Sequence, residues 1–598
     1  MMKHVWIPGA LAALASLVSA AETATISVDE LERGQRGYGL TVFAGSEPQR
    51  FEVEVLGVTR NRTPELSYVL ARLSGQGLET SGVFGGMSGS PVYIDGRLAG
   101  AVSFSYLFGL DAIAGITPIG AMRQLQGGLG GPPPARTAGT SAPAPRSLPG
   151  IGWQDLVRRE FSPDLLETHL AQLLPRFGGG ARSALQWSAG GFGDGSSRLL
   201  ERALGELAPG GRVFASAGGP AGAAGELGDL VPGSSVAAVL IAGDFQVAGY
   251  GTLTDRQGDE VLAFGHPVFG LGPVRIPLAA SEVVTVVASR ANSFKIANVG
   301  PVIGAFDQDR EAGVHGRIGL TAPMIPVTVK LRGLAEREYH MQVVDVPQLT
   351  PSMMALAAYG SLEAGSFSTG TQGLDLEARF RLAGHGDLVI RQNFDDTQAG
   401  IDSILYLMSF SAFLKHNDLA EVDIESLEVE YNQVDRPRIA TLVAAHTDRR
   451  VVRPGETVRL ILELQPYRGE SYRETVETTV PANAPNGRYV IFVGDGTTMD
   501  GVRFAIERPA PQTFEQALAF LQSFSARETL RIYGLVTEPG LAIAGDVLPQ
   551  LPGSMRAIFA GAAPTGTPLG LAIAHQQDER LDRPIVGYQR VDLEVRRR

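Results

Sequence analysis

One glycine-dense stretch, residues 85–91, combines residue types and spacing that could do chemistry. It reads Gly-Gly-Met-Ser-Gly-Ser-Pro, so glycines lie two residues before and one residue after Ser88. Glycines allow a sharp turn that projects the hydroxyl and lets neighbouring amide N–H groups converge on one point. The oxyanion of an acyl-transfer intermediate would lie at such a point. Ser88 is therefore a candidate nucleophile, with the N–H groups of Gly86 and Ser88 as oxyanion donors. The alternative is an ordinary tight turn with a solvated serine.

A second candidate group, His266, lies far along the chain in the sequence Phe-Gly-His-Pro-Val. It follows an apolar strand and is flanked by Gly265 and Pro267, where the chain must leave its sheet. A histidine in such a turn is well placed to act as a general base. The alternative is a histidine that only caps a turn. Among the other histidines, His315 in Gly-Val-His-Gly has the next most similar setting.

The elements around both candidates are predicted to be β-strands. Residues 92–102 form two apolar runs joined by Asp95-Gly96, a strong hairpin signal. Residues 51–58 alternate apolar and polar side chains, which is typical of a half-buried strand. We therefore expect one β-barrel unit over 28–126 that carries Ser88. A second β-barrel unit over 231–321 is expected to carry His266.

Length and composition predict several further domains in a mainly β protein. The chain has 598 residues, too many for one hydrophobic core, and it contains 74 glycines and 37 prolines, which favour short strands and turns. The remaining predicted units are a Gly/Pro/Ala-rich linker and insertion (127–230), a β-rich extension with one helix near 400–417 (322–437), an immunoglobulin-like β-sandwich (438–508) and a mixed C-terminal region (509–598).

Charge and the N-terminal residues predict where the protein acts. The net charge is -12 without a clustered basic face, which argues against a nucleic-acid partner. Residues 1–20 read as a signal peptide, with a basic start, an apolar segment and small residues at its end. We expect a secreted or periplasmic bacterial protein with no transmembrane segment in the mature chain. The absence of cysteine excludes disulfides and a cysteine nucleophile.

Together, the two glycine-rich blocks resemble the SpoIVB-type serine peptidases, the family named for the stage IV sporulation protein B peptidase. Residues 86–91 match the pattern Gly-x-Ser-Gly-x-Pro that precedes a hairpin in chymotrypsin-like peptidases, and residues 251–266 are similar to the family's histidine block. The resemblance implies a chymotrypsin-like double β-barrel, with Ser88 as nucleophile and His266 as the catalytic histidine. It also implies a protein or peptide substrate, and it implies neither a metal nor an organic cofactor.

Two departures from the family pattern leave alternatives open. The histidine block comes first in the family, whereas here Ser88 comes first; a triad is defined by spatial roles, so exchanged barrels could preserve it. The family's aspartate, about fifteen residues before the serine, corresponds here to residues 73–74, which contain no carboxylate. Either a Ser/His dyad works with a weaker orienting group, another acid has moved in, or the domain is inactive. The acids considered are Glu79, Asp95, Asp111, Asp307 and Asp309.

Two hypotheses from different classes follow. The first is a secreted or periplasmic serine endopeptidase with a Ser/His acyl-enzyme mechanism, which could also cleave its own 127–230 segment. The second is a catalytically inactive, peptidase-like envelope protein that acts as a binding or scaffold module. Self-assembly through exposed sheet edges is a weaker third hypothesis.

Overall fold

The computed structural model describes most of the chain outside its N-terminus and the 126–228 region. The described residues are 23–125, 156, 181–205, 214–216 and 229–597, apart from 64–65, 107–108, 110, 184, 290–292, 335, 366–372, 396, 508, 537–539, 544–545, 549–553, 556–565 and 570. The predicted signal peptide (1–20) and the linker at 127–150 lie outside these residues.

Six strands near the N-terminus close into an antiparallel barrel, which we call the first ring. They are β1 (Arg36–Thr41), β2 (Gln49–Thr63), β3 (Leu66–Ser74), β4 (Pro91–Ile94), β5 (Arg97–Tyr106) and β6 (Ile113–Pro118). The pairing order is β4-β1-β2-β3-β6-β5, and β5 pairs back to β4. Alternation in β2 buries Phe51, Val53 and Val55 in the core, as the sequence pattern predicts. Asp95 and Gly96 join β4 to β5 with φ of 52° and 73°, as a two-residue hairpin turn requires.

A further six strands close into a second antiparallel ring. They are β10 (Ser235–Gly243), β11 (Gln246–Gln257), β12 (Glu260–Ala263), β13 (Gly272–Val287), β14 (Phe294–Arg310) and β15 (Gly313–Ile318). The order is β10-β13-β14-β15-β12-β11, and β11 pairs back to β10. Three short strands attach to the two rings: β7 (Ala181–Ser183) to β5, β8 (Gln186–Gly190) to β11, and β9 (Phe214–Ser216) to β8.

The two rings pack against each other through apolar side chains, and we call this interface the seam. Leu262 of β12 packs with Tyr93, Leu98 and Ala101 of the first ring. Val42, which directly follows β1, is fully buried in a cluster formed by second-ring strands. Because these side chains are apolar, their contact removes hydrocarbon surface from water and stabilises the pair of rings.

The second ring continues into a larger sheet that is covered by two buried helices. Strand β17 (Arg337–Val344) joins β10 to β16 (Met324–Gly333), β20 (Ile424–Val434), β18 (Gly373–Leu382) and β19 (Gly386–Phe394). The helix expected near 400–417 spans Ala399–His416. A second helix, Thr350–Ala364, was not predicted because it is almost entirely buried and shows no polar face.

Two curled sheets at the C-terminal end share one core. The four-stranded sheet contains β21 (Ala440–Thr447), β23 (Thr457–Pro466), β24 (Tyr472–Thr479) and β31 (Ile585–Val586). The five-stranded sheet contains β22 (Val451–Val452), β25 (Gly487–Asp495), β26 (Thr529–Val536), β30 (Ala572–Arg580) and β32 (Tyr588–Val595). Leu460, Ile491 and Val591 belong to the common core, so strands from 438–508 and from 509–598 build one unit.

The remaining described elements are short. A three-stranded sheet contains β27 (Gly540–Ile543), β28 (Asp546–Leu548) and β29 (Gly566–Leu569). The other helices are Val28–Glu30 (3-10), Leu78–Ser81, Ile119–Arg123, Asp194–Gly205, Gly496–Glu507 and Phe514–Gln522. None of the helices in the described residues is long and apolar enough to cross a bilayer. The predicted mainly β class is confirmed.

Candidate active site

The serine turn of the first ring is hydrogen-bonded to the second ring. The amide of Thr252 in β11 donates to the Ser88 carbonyl oxygen at 2.7 Å. Two residues further along β11, the Thr254 hydroxyl donates to the Gly89 carbonyl oxygen at 2.8 Å. The turn that carries the candidate nucleophile is therefore part of the seam.

Gly89 allows this close approach because it has no side chain. Its φ is +91°, a conformation that favours glycine. A Cβ built at this position would lie 1.9 Å from the Thr252 carbonyl oxygen and 2.5 Å from the Phe264 amide nitrogen. No other residue would fit here without separating the two rings.

The turn that carries His266 lies against the same part of the first ring. The Gly265 carbonyl oxygen accepts a hydrogen bond from the Thr117 hydroxyl in β6 at 2.5 Å. The Val102 carbonyl oxygen in β5 accepts from the Gly89 amide at 2.7 Å. The same oxygen lies 3.0 Å from a Cβ built on Gly265. Gly89 and Gly265 thus both lie against the Val102 carbonyl. Because they are the sequence neighbours of Ser88 and His266, the two predicted residues lie in one region of the seam.

His266 is fully buried and held by its own loop. Its Nδ1 lies 2.7 Å from the Pro267 carbonyl oxygen. Because a carbonyl can only accept, Nδ1 carries the proton and the lone pair lies on Nε2. Burial lowers the pKa of His266 to about 4. The ring is therefore neutral at pH 7, in the form that can accept a proton.

The buried histidine predicts an unusual pH dependence for any reaction in which it is the base. With a pKa near 4, the His266 ring should stay about nine-tenths neutral at pH 5. A histidine with an ordinary pKa would be only a few per cent neutral at that pH. The imidazole NMR shifts of His266 between pH 3.5 and 8, with circular dichroism to follow folding, measure this. A titration midpoint near pH 6.5 for His266 in folded protein would contradict the prediction.

Ser88 is also fully buried. Within the described part of the chain its Oγ has no hydrogen-bond partner, so no bond to His266 is formed in this closed seam. An unpaired buried hydroxyl is unfavourable by about 1–3 kcal/mol. As the two rings are packed here, this hydroxyl has no access to solvent.

Two main-chain amides beside the Ser88 hydroxyl are oriented as donors. In the described residues the N–H groups of Gly86 and Ser88 donate to no acceptor. The carbonyls of their peptide groups are held: Gly85 O accepts from the Lys295 amide at 3.1 Å and Met87 O from the Ser90 amide at 2.9 Å. In a trans peptide the N–H points opposite to the C=O, so each amide is turned away from its bonded carbonyl. Two unbonded amides in the turn that carries Ser88 are the donors that an oxyanion hole would require.

One family model matches the N-terminal part of the chain. Residues 7–115 match the model of the SpoIVB peptidase S55 family. This match suggests a serine peptidase, and it contains both Gly86 and Ser88. It covers less than a fifth of the chain and ends before the second ring, so His266 lies outside the matched residues. No curated protein and no solved structure matches the chain.

Asp309 is the candidate acid that lies nearest in the fold to the His266 turn. Its carboxylate accepts from the amides of Val268 at 2.8 Å, Phe269 at 2.8 Å and Gly270 at 2.9 Å. Burial raises the pKa of Asp309 to about 6, against the opposite effect of these amides. Asp309 thus holds the loop that supplies the Nδ1 acceptor of His266. Sequence spacing could not assign this role because the contact spans about forty residues.

In the described residues, none of the other four candidate acids forms a hydrogen bond to the His266 turn. Glu79 accepts from the Gly75 amide, Asp111 pairs with Arg72, and Asp95 is exposed in its hairpin turn. Asp307 binds Nδ1 of His315 at 2.7 Å and also pairs with Arg317. Residues 73–74, which correspond to the family's aspartate position, lie at the end of β3 and contain no carboxylate. Within the described residues, no three histidine or acidic side chains cluster closely enough to hold a metal ion.

Sequence reasoning missed Lys295, a buried ionisable residue in the seam. It is 2% exposed, at the start of β14, and its Nζ donates to the Thr41 hydroxyl at 3.1 Å. A signal was available, because the chain contains only four lysines among its basic residues: Lys3, Lys295, Lys330 and Lys415. A lysine can lose its proton on burial far more readily than an arginine, which makes a buried lysine in an arginine-rich chain informative.

Proposed function

We propose that this protein is a secreted or periplasmic serine endopeptidase whose active site lies in the seam between the two rings. The observation that carries the proposal is the buried Ser88 hydroxyl in a turn whose Gly86 and Ser88 amides have no acceptor among the described residues. The match of residues 7–115 to the SpoIVB peptidase S55 model supports the same reaction class. Two six-stranded antiparallel rings with the candidate residues between them are consistent with a chymotrypsin-like double barrel.

In the proposed mechanism the seam opens and admits an extended peptide. Ser88 Oγ attacks the scissile carbonyl while Nε2 of His266 takes its proton. The N–H groups of Gly86 and Ser88 hold the oxyanion of the tetrahedral intermediate. His266 then gives the proton to the leaving amine, and water hydrolyses the acyl-enzyme. The Pro267 carbonyl orients the histidine where a triad would use a carboxylate.

A fluorophosphonate probe tests the nucleophile directly. Wild-type protein should be labelled covalently, and Ser88→Ala should lose labelling completely. The matched control is Ser103→Ala, because Ser103 in β5 is also fully buried and its Oγ also lacks a partner among the described residues. This control should keep wild-type labelling. Equal labelling of the wild type and Ser88→Ala would overturn the assignment.

A second candidate function is a peptidase-like binding or scaffold protein without activity. The complete burial of Ser88 and His266 favours it, as does the carbonyl in place of an orienting carboxylate. Folded wild-type protein that is not labelled after the seam is loosened with mild denaturant would select this function.

Export forms part of the same proposal and rests on residues 1–20. Expression of the full chain in a bacterium should yield a mature N-terminus near residue 21 in the periplasmic fraction or the medium. Replacing the apolar segment 11–18 by polar residues should retain the protein in the cytoplasm.

A further inference from the structure

Lys295 is an ionisable group in the seam whose burial is not balanced by an acid. Its Nζ donates to Thr41 and lies 5.8 Å from the centre of the Phe84 ring. Among the described residues, no carboxylate forms an ion pair with it. Burial lowers the pKa of Lys295 to about 7. An uncompensated buried amine is unfavourable, so a further role for this side chain is expected.

The main chain of Lys295 orients one half of the serine turn. Its amide donates to the Gly85 carbonyl oxygen at 3.1 Å, and the Gly85 amide donates to the Ser293 carbonyl oxygen at 2.8 Å. These two bonds attach the turn to the start of β14. They leave the N–H of Gly86 pointing away from that strand.

The side chain of Lys295 orients the other half of the turn through two hydroxyls. Its Nζ donates to Thr41 Oγ1, which lies 3.4 Å from Thr252 Oγ1. Thr252 Oγ1 in turn donates to the Gly86 carbonyl oxygen at 2.9 Å. A hydroxyl can accept one hydrogen bond and donate another, so these hydrogen bonds run in one direction from the Lys295 amine to the Gly86 carbonyl. Linked hydrogen bonds of this kind strengthen one another in a dry environment.

There is no room between the lysine stem and the turn. A Cβ built on Gly86, whose φ is +96°, would lie 2.8 Å from Lys295 Cδ. The stem therefore packs directly against the main chain that it orients.

We propose that Lys295 is a positioning residue of the Ser88 site, which holds the peptide groups on both sides of Gly86 so that its N–H stays available as an oxyanion donor. This inference rests on the proposed peptidase function for its catalytic consequence. The claim that Lys295 orients the peptide groups around Gly86 depends only on the contacts described above.

Three variants separate this role from simple packing. Lys295→Met keeps an unbranched stem and removes the amine. Thr41→Val breaks the hydroxyl chain at nearly constant shape, and Thr41→Ser is the matched control that keeps the hydroxyl. Hydrogen–deuterium exchange of the 84–90 peptide measures the stability of the turn and does not require the protein to be active. The rate of fluorophosphonate labelling measures the function of the proposed oxyanion donors.

We expect exchange in the turn to be about tenfold faster in Lys295→Met and Thr41→Val, which corresponds to the loss of one hydrogen bond. Labelling should slow by about 100-fold in the same variants, as when one oxyanion donor is removed. Thr41→Ser should stay within about threefold of wild type in both measurements. Thermal unfolding of Lys295→Met should be unchanged or shifted upward, because an apolar isostere replaces a buried charge.

The outcomes distinguish the two proposals. Wild-type exchange and labelling in Lys295→Met would overturn the positioning role and leave the peptidase intact. A second outcome is faster exchange in Lys295→Met and Thr41→Val together with no labelling of the wild-type protein. This result would support the positioning role and overturn the peptidase function. If Lys295→Met does not fold, the difference between Thr41→Val and Thr41→Ser decides.

Discussion

Gly89→Ala is expected to displace the serine turn from the second ring and to abolish labelling of Ser88, because the proposed mechanism needs Ser88 and His266 on facing turns. The new methyl group would meet the Thr252 carbonyl oxygen at 1.9 Å and the Phe264 amide nitrogen at 2.5 Å, and main-chain atoms cannot rotate away. Relief requires loss of the bonds from the Gly89 amide to Val102 and from Thr254 to the Gly89 carbonyl. We expect the free energy of unfolding to fall by about 4 kcal/mol or more, at the extreme of single substitutions. Urea unfolding and probe labelling measure both effects.

Gly34→Ala is the matched control for this substitution. Its φ of +89° is almost that of Gly89, but a Cβ there meets no atom within 4 Å. Only the left-handed conformation is then penalised, by about 1–2 kcal/mol. Labelling should remain at the wild-type rate. Similar losses of stability in the two variants would mean that the close approach at Gly89 does not hold the rings together.

Asp309→Asn is expected to slow labelling of Ser88 by about 100-fold while the fold remains. The asparagine amide group would replace one carboxylate oxygen, so at least one of the amides of Val268, Phe269 and Gly270 would face a donor. Each buried N–H without an acceptor destabilises the loop by about 1–3 kcal/mol. The loop carries His266, and a shift of about 1 Å in a reacting group can cost about 100-fold in rate.

Asp307→Asn provides the control from the same strand. Asp307 lies two residues before Asp309, but it binds His315 and Arg317 and makes no hydrogen bond to residues 266–270 in the described structure. Labelling should stay within about twofold of wild type. Equal slowing in both variants would show that general weakening of β14 is the cause, and not the loop that carries His266.

Features that depend on neighbouring residues could be predicted from the sequence. The Asp95-Gly96 hairpin forms as expected because only those two residues must adopt positive φ. The helix Ala399–His416 was expected within one residue at each end. The match of residues 7–115 to the peptidase S55 model confirms the resemblance that the serine turn suggested.

Features without a local signal were missed. The helix Thr350–Ala364 has buried residues on all sides, so it lacks the periodic polar face from which a helix is inferred. The joint core of the two C-terminal sheets was also missed, since β31 and β32 pair with strands more than ninety residues earlier. The roles of Ser88 and His266 and the boundaries of the domains stay predictions.

By itself, the sequence determined the mainly β class and the glycine turn around Ser88, because turn conformation and strand alternation depend on residues close together in the chain. Only the tertiary structure decided what surrounds Ser88. The ring seam buries it, Asp309 holds the loop of His266, and Lys295 reaches Gly86 through Thr41 and Thr252. These contacts join residues up to 254 positions apart, and no local pattern encodes which strands will close into rings and face each other.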